Sequence, residues 1–187
     1  MPKQRVTREM VVETAFAIAR EEGMENVLVK NLASRLNCST QPIYSYATNM
    51  EQLRQTVEEE ALRFIDRFIR QRINPDDLFR SIGQAYIALA QEEPHLFKIF
   101  ILQSRKGLAS LSELTRENSG VNIYISRQLG ISQEAARELH LNMLIYTIGL
   151  GLVYLSAAPG IPPAEILRQQ EIAYQAFLAQ AKLKEKR

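Results

Sequence analysis

The side chains with most chemistry to offer fall in one short run, Ser39-Thr40-Gln41-Pro42-Ile43-Tyr44-Ser45-Tyr46. A Gln amide can pair bidentately with adenine N6 and N7. Ser and Thr hydroxyls can bond bases or phosphates, and a Thr methyl can pack on a thymine methyl. Phenolic hydroxyls at Tyr44 and Tyr46 suit donation to phosphate oxygens. Positive charge is clustered locally: Lys3, Arg5 and Arg8 form an arm before the first acid at Glu9, and Lys30 and Arg35 lie just ahead of the run. The candidate contacts to double-stranded DNA are Lys3, Arg5, Lys30, Ser39, Thr40, Gln41, Tyr44, Ser45 and Tyr46. Singly, each is an ordinary solvated surface residue; their order and spacing favour DNA.

Such groups act together only if rigid elements present them. From Thr7 to Glu22, apolar residues at Met10, Val11, Ala15, Ile18 and Ala19 follow the 3.6 period of a helix. Thr7 suits its N-cap and Gly23 its stop. A second helix fits Val27 to Leu36, with Val29, Leu32, Ala33 and Leu36 on one face. The turn that follows needs a residue in the left-handed region, and Asn37 tolerates it best after Gly. Cys38 is a small plug between helices, and Ser39 is the expected N-cap, accepting from the N–H of Gln41. Pro42 sits where its missing N–H has no intrahelical partner to lose. A third helix, Thr40 to Tyr46, then turns Ile43 inward, completing a helix-turn-helix. Thr48-x-x-Glu51 and Asn49-x-x-Gln52 are overlapping capping boxes. They start a fourth helix near Met50 that runs through Leu53, Val57, Ala61, Phe64, Ile65 and Phe68 to about Ile73, where Asn74-Pro75 ends it.

Further helices are expected over Asp76–Glu92, Pro94–Ser104, Val121–Leu129, Gln133–Ala158 and Pro163–Leu183, with a weakly patterned connector from Arg105 to Gly120. No stretch alternates with period two, so the fold expected is all-α, with about nine helices. Residues 1–49 form the helix-turn-helix DNA-binding head, and residues 50–187 a helical ligand-binding and dimerisation domain. The Gln133–Ala158 helix is apolar on nearly every face and must be covered all round. A partner subunit is the economical cover, through Leu152, Leu155, Ile166, Tyr174, Phe177 and Leu178, with Gly149, Gly151, Ser156 and Ala157 permitting close approach. Phe97, Phe100, Ile101, Tyr124, His140, Met143, Tyr146 and Tyr154 can line a pocket for a small apolar or amphipathic effector. Aromatic residues at helical spacing are also ordinary core.

Composition limits the alternatives. The chain has 187 residues, 46% hydrophobic and 24% charged, enough for one large domain or two small ones. One Cys allows no internal disulfide, so a reducing cytoplasm is expected. A net charge of +2 makes the chain no polycation, so any DNA binding must come from a local cluster. Glu9 and Glu13 interrupt any signal-peptide core. The uncharged stretch from Leu139 to Ala164 is long enough to span a membrane, but the chain has 0 Trp for an interfacial belt, and a buried helix is favoured. His95 and His140 lack the spacing of a metal site, and Gly149-x-Gly151 lies inside a helix instead of following a strand. With no Gly-x-Ser-x-Gly, His-Glu-x-x-His or Walker loop, no enzyme, metal or cofactor is expected.

Gly23, Leu32-Ala33-x-x-Leu36-Asn37-Cys38-Ser39-Thr40-Gln41-Pro42-Ile43-Tyr44-Ser45-Tyr46 and Glu51-x-Leu53 together resemble the tetracycline-repressor (TetR) family of bacterial transcription regulators, over roughly the first 55 residues. The resemblance implies a three-helix DNA-binding head on a larger helical regulatory domain, with Tyr44 as the backbone-contacting tyrosine of the recognition helix. It also favours a homodimer. A two-fold dimer sets its recognition helices about 34–36 Å apart for a palindromic operator. Asn37 and Cys38 stand where the family usually has Gly and Val, Tyr46-Ala47 where it has His-Phe, and Met50 where a lysine usually holds a phosphate. The function expected is a homodimeric repressor released by an effector. The alternative class is a helical protein-interaction or small-molecule-carrier module.

Overall fold

The computed structural model describes residues 6–46, 49–103, 110, 113, 115, 119–156 and 160–184. Among them are nine α-helices and no strand: α1 (Arg8–Glu22), α2 (Val29–Arg35), α3 (Thr40–Tyr46), α4 (Met50–Arg70), α5 (Leu78–Glu92), α6 (Pro94–Gln103), α7 (Ser119–Leu129), α8 (Gln133–Ser156) and α9 (Pro163–Lys184). The all-α architecture expected from periodicity is the one observed.

Helix ends follow from identifiable local chemistry. Thr7 caps α1, its hydroxyl accepting from the Met10 N–H at 3.3 Å, and Gly23 ends that helix at φ 99°. Helix α2 starts two residues later than its apolar pattern suggests: Met24–Asn26 form a 3-10 turn, and Leu28 is extended. Asn49 caps α4 by accepting from the Glu51 N–H at 2.8 Å. The same helix stops at Arg70 instead of Ile73, because Arg72 turns back on it: its N–H reaches Ile69 O at 2.9 Å and its guanidinium reaches Phe68 O at 3.3 Å. Before α5, Asn74 Oδ1 accepts from the Asp76 N–H at 3.0 Å and opens a 3-10 turn over Pro75–Asp77, so the α-helix itself begins at Leu78.

The chain divides into two compact units, Met1–Arg67 with Glu93–Gln103, and Phe68–Glu92 with Ser104–Arg187. In the first, α1 packs against α2, α3 and α6. Val11, Ala15 and Ile18 of α1, Leu32 of α2, Ile43 of α3 and Val57 of α4 are among its fully buried apolar residues. Arg20 ties α1 to the start of α6: its Nε donates to Glu93 Oε2 at 2.8 Å, a second guanidinium N–H donates to Oε1, and the group lies over the Phe64 ring.

In the second unit, α8 packs against α5, α7 and α9 around a core that includes Phe79, Ile125, Ala136, Leu139, Met143 and Tyr174. By length and composition α8 is long and apolar enough to cross a membrane. Here it buries Leu139, Met143 and Thr147 on one side and leaves Ile145, Leu152 and Val153 exposed on the other. The expected cover on all sides is therefore incomplete among the described residues. One polar pair lies in the interior, where the Gln170 amide donates to Thr147 Oγ1 at 3.1 Å. A Cβ at Gly83 would come within 2.8 Å of Gln170 Nε2, so the glycine makes room for that amide. Removing the acceptor alone strands a buried N–H donor, which costs about 1–3 kcal/mol. Urea denaturation is therefore expected to show a loss of that size for Thr147→Val, with most of it recovered in Thr147→Val/Gln170→Leu, which removes both polar ends.

Candidate nucleic-acid interface

The site is built on the turn between α2 and α3. Asn37 adopts φ 49°, the left-handed conformation the sequence demanded of it. Around it the Asn37 N–H donates to Ser34 O at 3.1 Å and the Cys38 N–H to Ala33 O at 3.0 Å, the paired bonds of a Schellman closure. Carbonyls that would otherwise end α2 unpaired are thereby satisfied, and the chain leaves in a fixed direction. Cys38 is half-buried, so it fills less of the gap than a plug would; Leu32, Ala33 and Ile43 are the buried residues of the two helices.

Helix α3 is seven residues long and anchored by Ile43, which is fully buried. Ser39, Thr40, Gln41, Tyr44, Ser45 and Tyr46 are all exposed, Tyr44 by 55% and Tyr46 by 38%. Two of these differ in chemistry from their sequence assignments. Ser39 carries no hydrogen bond on its hydroxyl among the described residues, so the cap to Gln41 is not made. Ser45 Oγ donates back to Gln41 O at 3.2 Å, which uses its proton and leaves its oxygen as an acceptor.

Charge around α3 also differs from the sequence picture. Lys3 and Arg5 lie outside the described residues. Lys30 is exposed on α2. Arg35 is not an open cation: it pairs with Glu21 at 2.7 Å and with Glu22, and these bonds hold its guanidinium above its ordinary pKa. Arg8 takes a more prominent place. With Tyr46, Asn49 and Gln52 it lines a shallow recess of about 50 Å³, where the starts of α1 and α4 meet the end of α3. Asn49 and Gln52 were recognisable in sequence only as capping residues. Their second possible use shows once α3 is seen to end beside them.

The other candidate residues divide between the two units. Phe97, Phe100 and Ile101 belong to the first, where Phe97 is fully buried; Tyr124, His140, Met143, Tyr146 and Tyr154 belong to the second. Tyr124 donates its hydroxyl to Pro75 O at 2.8 Å, and Tyr146 meets Phe177 edge-on at 6.2 Å. Of the expected interface residues, Ile166 and Tyr174 are 3% and 5% exposed. Tyr174 belongs to the unit's own core and packs on Phe79. Leu152 is exposed, and Leu155, Phe177 and Leu178 are half-buried. Ile145, Val153 and Ile172, which are not among the expected interface residues, are exposed by 44%, 49% and 52%.

No family model and no curated protein matches the chain. Solved structures do match. A transcriptional regulator from Rhodococcus sp. Rha1 superposes with a TM-score of 0.67 at 17% identity, over 94% of this chain and 97% of that one. A TetR-family transcriptional regulator from Streptomyces coelicolor gives a TM-score of 0.69 at 15% identity, over 96% and 83%. The fold is that of the TetR-family transcriptional regulators.

His140 gives the second unit a measurable signature. Its Nδ1 lies 2.7 Å from Asn122 Oδ1, and Asn122 Nδ2 is committed to Thr115 O, so the imidazole donates from Nδ1. Its ring meets Phe79 edge-on at 5.8 Å. Burial lowers its pKa from 6.5 to about 4. Between those values the unfolded imidazole binds a proton and the folded one does not. Stability is therefore intact above pH 6.5 and falls as pH drops toward 4, by up to about 3 kcal/mol. Urea titrations at stepped pH are expected to show this extra slope in the wild type and its absence in His140→Gln.

Proposed function

We propose that the protein is a sequence-specific DNA-binding transcription regulator, a cytoplasmic homodimeric repressor released by a small apolar or amphipathic effector. The observation that carries this is α3: one fully buried anchor, Ile43, beneath an outer side on which Thr40, Gln41, Tyr44 and Tyr46 are all exposed. A short rod with that distribution suits a major groove, with Gln41 toward base edges and Tyr44 toward the backbone. Lys30 and Arg8, with Lys3 and Arg5 of the preceding arm, are the cations suited to phosphate, while Thr40, Ser39 and Ser45 complete the polar edge. Residues 1–49 act as the DNA-binding head and residues 50–187 as the regulatory and dimerising part. The effector site proposed for the second part includes Tyr124, His140, Met143, Tyr146 and Tyr154.

Dimerisation is supported by the open side of α8. Ile145, Gly149, Leu152, Val153 and Ser156 share that side, and nothing lies within 4 Å of where a Cβ on Gly149 would stand. A row of apolar residues with a glycine among them suits close packing of the same helix from a second copy. A two-fold pair then sets two α3 helices for a palindromic operator. Effector binding would act through a coupling of about 1–3 kcal/mol between regulatory part and head.

Selection from a random duplex pool tests the proposal directly. The expected product is a palindrome with half-sites about one helical turn apart, bound with an affinity that falls steeply with salt. On that operator, Gln41→Ala should lose roughly 1–3 kcal/mol of discrimination at one base pair. Tyr44→Phe should weaken binding to all sequences alike. Recovery of no preferred sequence, with binding indifferent to salt, would favour the protein-interaction alternative. Sedimentation equilibrium should find a wild-type dimer and a monomeric Leu152→Glu, because a carboxylate there has no partner in an apolar contact.

A further inference from the structure

Beyond the recess at Tyr46, α1 and α4 diverge to leave a groove of about 560 Å³, a size common among sites for small molecules. Its apolar floor is Val12 and Phe16, both half-buried, and Phe16 is braced by Phe64 with ring centroids 6.0 Å apart. The rim carries Glu9 and Glu13 from α1 and Glu59 and Glu60 from α4, against Arg8 and Arg63. Four carboxylates thus face two guanidinium groups, a balance opposite to that needed for DNA.

The carboxylates are not equivalent. Glu60 is bonded to Arg63 at 2.6 Å, which holds it below the ordinary carboxylate range. Glu9 is held low by a backbone N–H and by Thr7. Arg63 reaches Glu59 only at 4.0 Å. Glu13 has no ion pair among the described residues. An apolar floor beneath incompletely neutralised carboxylates is the environment that attracts an organic cation: the acids favour positive charge, and Val12 and Phe16 take the rest of the molecule.

We propose that this groove binds a small organic cation with an apolar body, its charge beside Glu13 and Glu59 and its body on Val12 and Phe16. An anion of the same shape is excluded by the same rim. The groove is lined by no residue of α3, Arg8 bordering both it and the recess at Tyr46, and its occupancy is measured without DNA. The proposal therefore stands or falls apart from the proposed regulatory function.

Isothermal titration calorimetry with tetraphenylphosphonium and tetraphenylborate, ions of one shape and opposite charge, tests it on the full chain. The cation is expected to bind at least about tenfold more tightly than the anion. Glu13→Gln/Glu59→Gln is expected to weaken the cation at least about tenfold. Glu134→Gln/Glu165→Gln, which removes as much charge from exposed positions on α8 and α9, is expected to leave the affinity unchanged. Both double variants alter exposed side chains, and circular dichroism checks that they fold. Equal affinity for the two ions, no detectable binding of the cation, or full affinity in Glu13→Gln/Glu59→Gln would each overturn the proposal. So would loss of a wild-type dimer in that variant, which would make a second copy the occupant of the groove.

Discussion

Everything distinctive about the first unit depends on a backbone reversal at Asn37. A left-handed residue between two helices lets the chain change direction within a few bonds, and the Asn37 and Cys38 N–H groups close the end of α2 as it does so. Side chains other than Gly, Asn and Asp meet their own carbonyl in that conformation, at a cost of roughly 1–2 kcal/mol. With the turn in place, Ile43 is brought into the interior against the side of the head formed by α1 and α2, and one buried side chain sets the rotation of a seven-residue helix. The exposure of Tyr44 and Tyr46 follows from that rotation.

The helices themselves were legible in the sequence because their apolar residues recur at helical spacing and their caps are of ordinary types: Thr7, Gly23 and Asn49 all act as their identities suggest. Ends defined by a side chain returning from elsewhere were not. Arg72 shortens α4 through Phe68 O, and a preference scale for single residues has no means of expressing that bond. Orientation on an evenly apolar helix was the hardest feature to read. In α9, Ile166 and Tyr174 look no different from Ile172 in sequence, yet the first two are interior and the third is open, since only packing against α5 and α8 distinguishes them.

Charge was legible as composition and not as availability. Arg35 lies just ahead of α3 in sequence and Arg8 far from it, but Glu21 and Glu22 come from α1 to occupy Arg35, and Arg8 lies beside Tyr46. The same partitioning separates two chemistries within one small unit. The edge bearing α3 offers hydroxyls and an amide, with Lys30 exposed on the neighbouring α2. The cleft between α1 and α4 is dominated by carboxylates over an aromatic floor. A chain with a net charge of only +2 can therefore carry surfaces of different composition within one unit.

Helix α6 joins the N-terminal helices in one compact unit although the whole of α5 intervenes, and the Arg20–Glu93 pair fastens it there. The head is consequently not a cassette. A chimera spliced after residue 49 would carry α1 to α3 into foreign surroundings, leaving Arg20 without its carboxylate and the buried side of α1 without α6. Recombination that exchanges such heads between proteins of this fold would have to bring both stretches, or find in the recipient an acid and an apolar surface already matched to them.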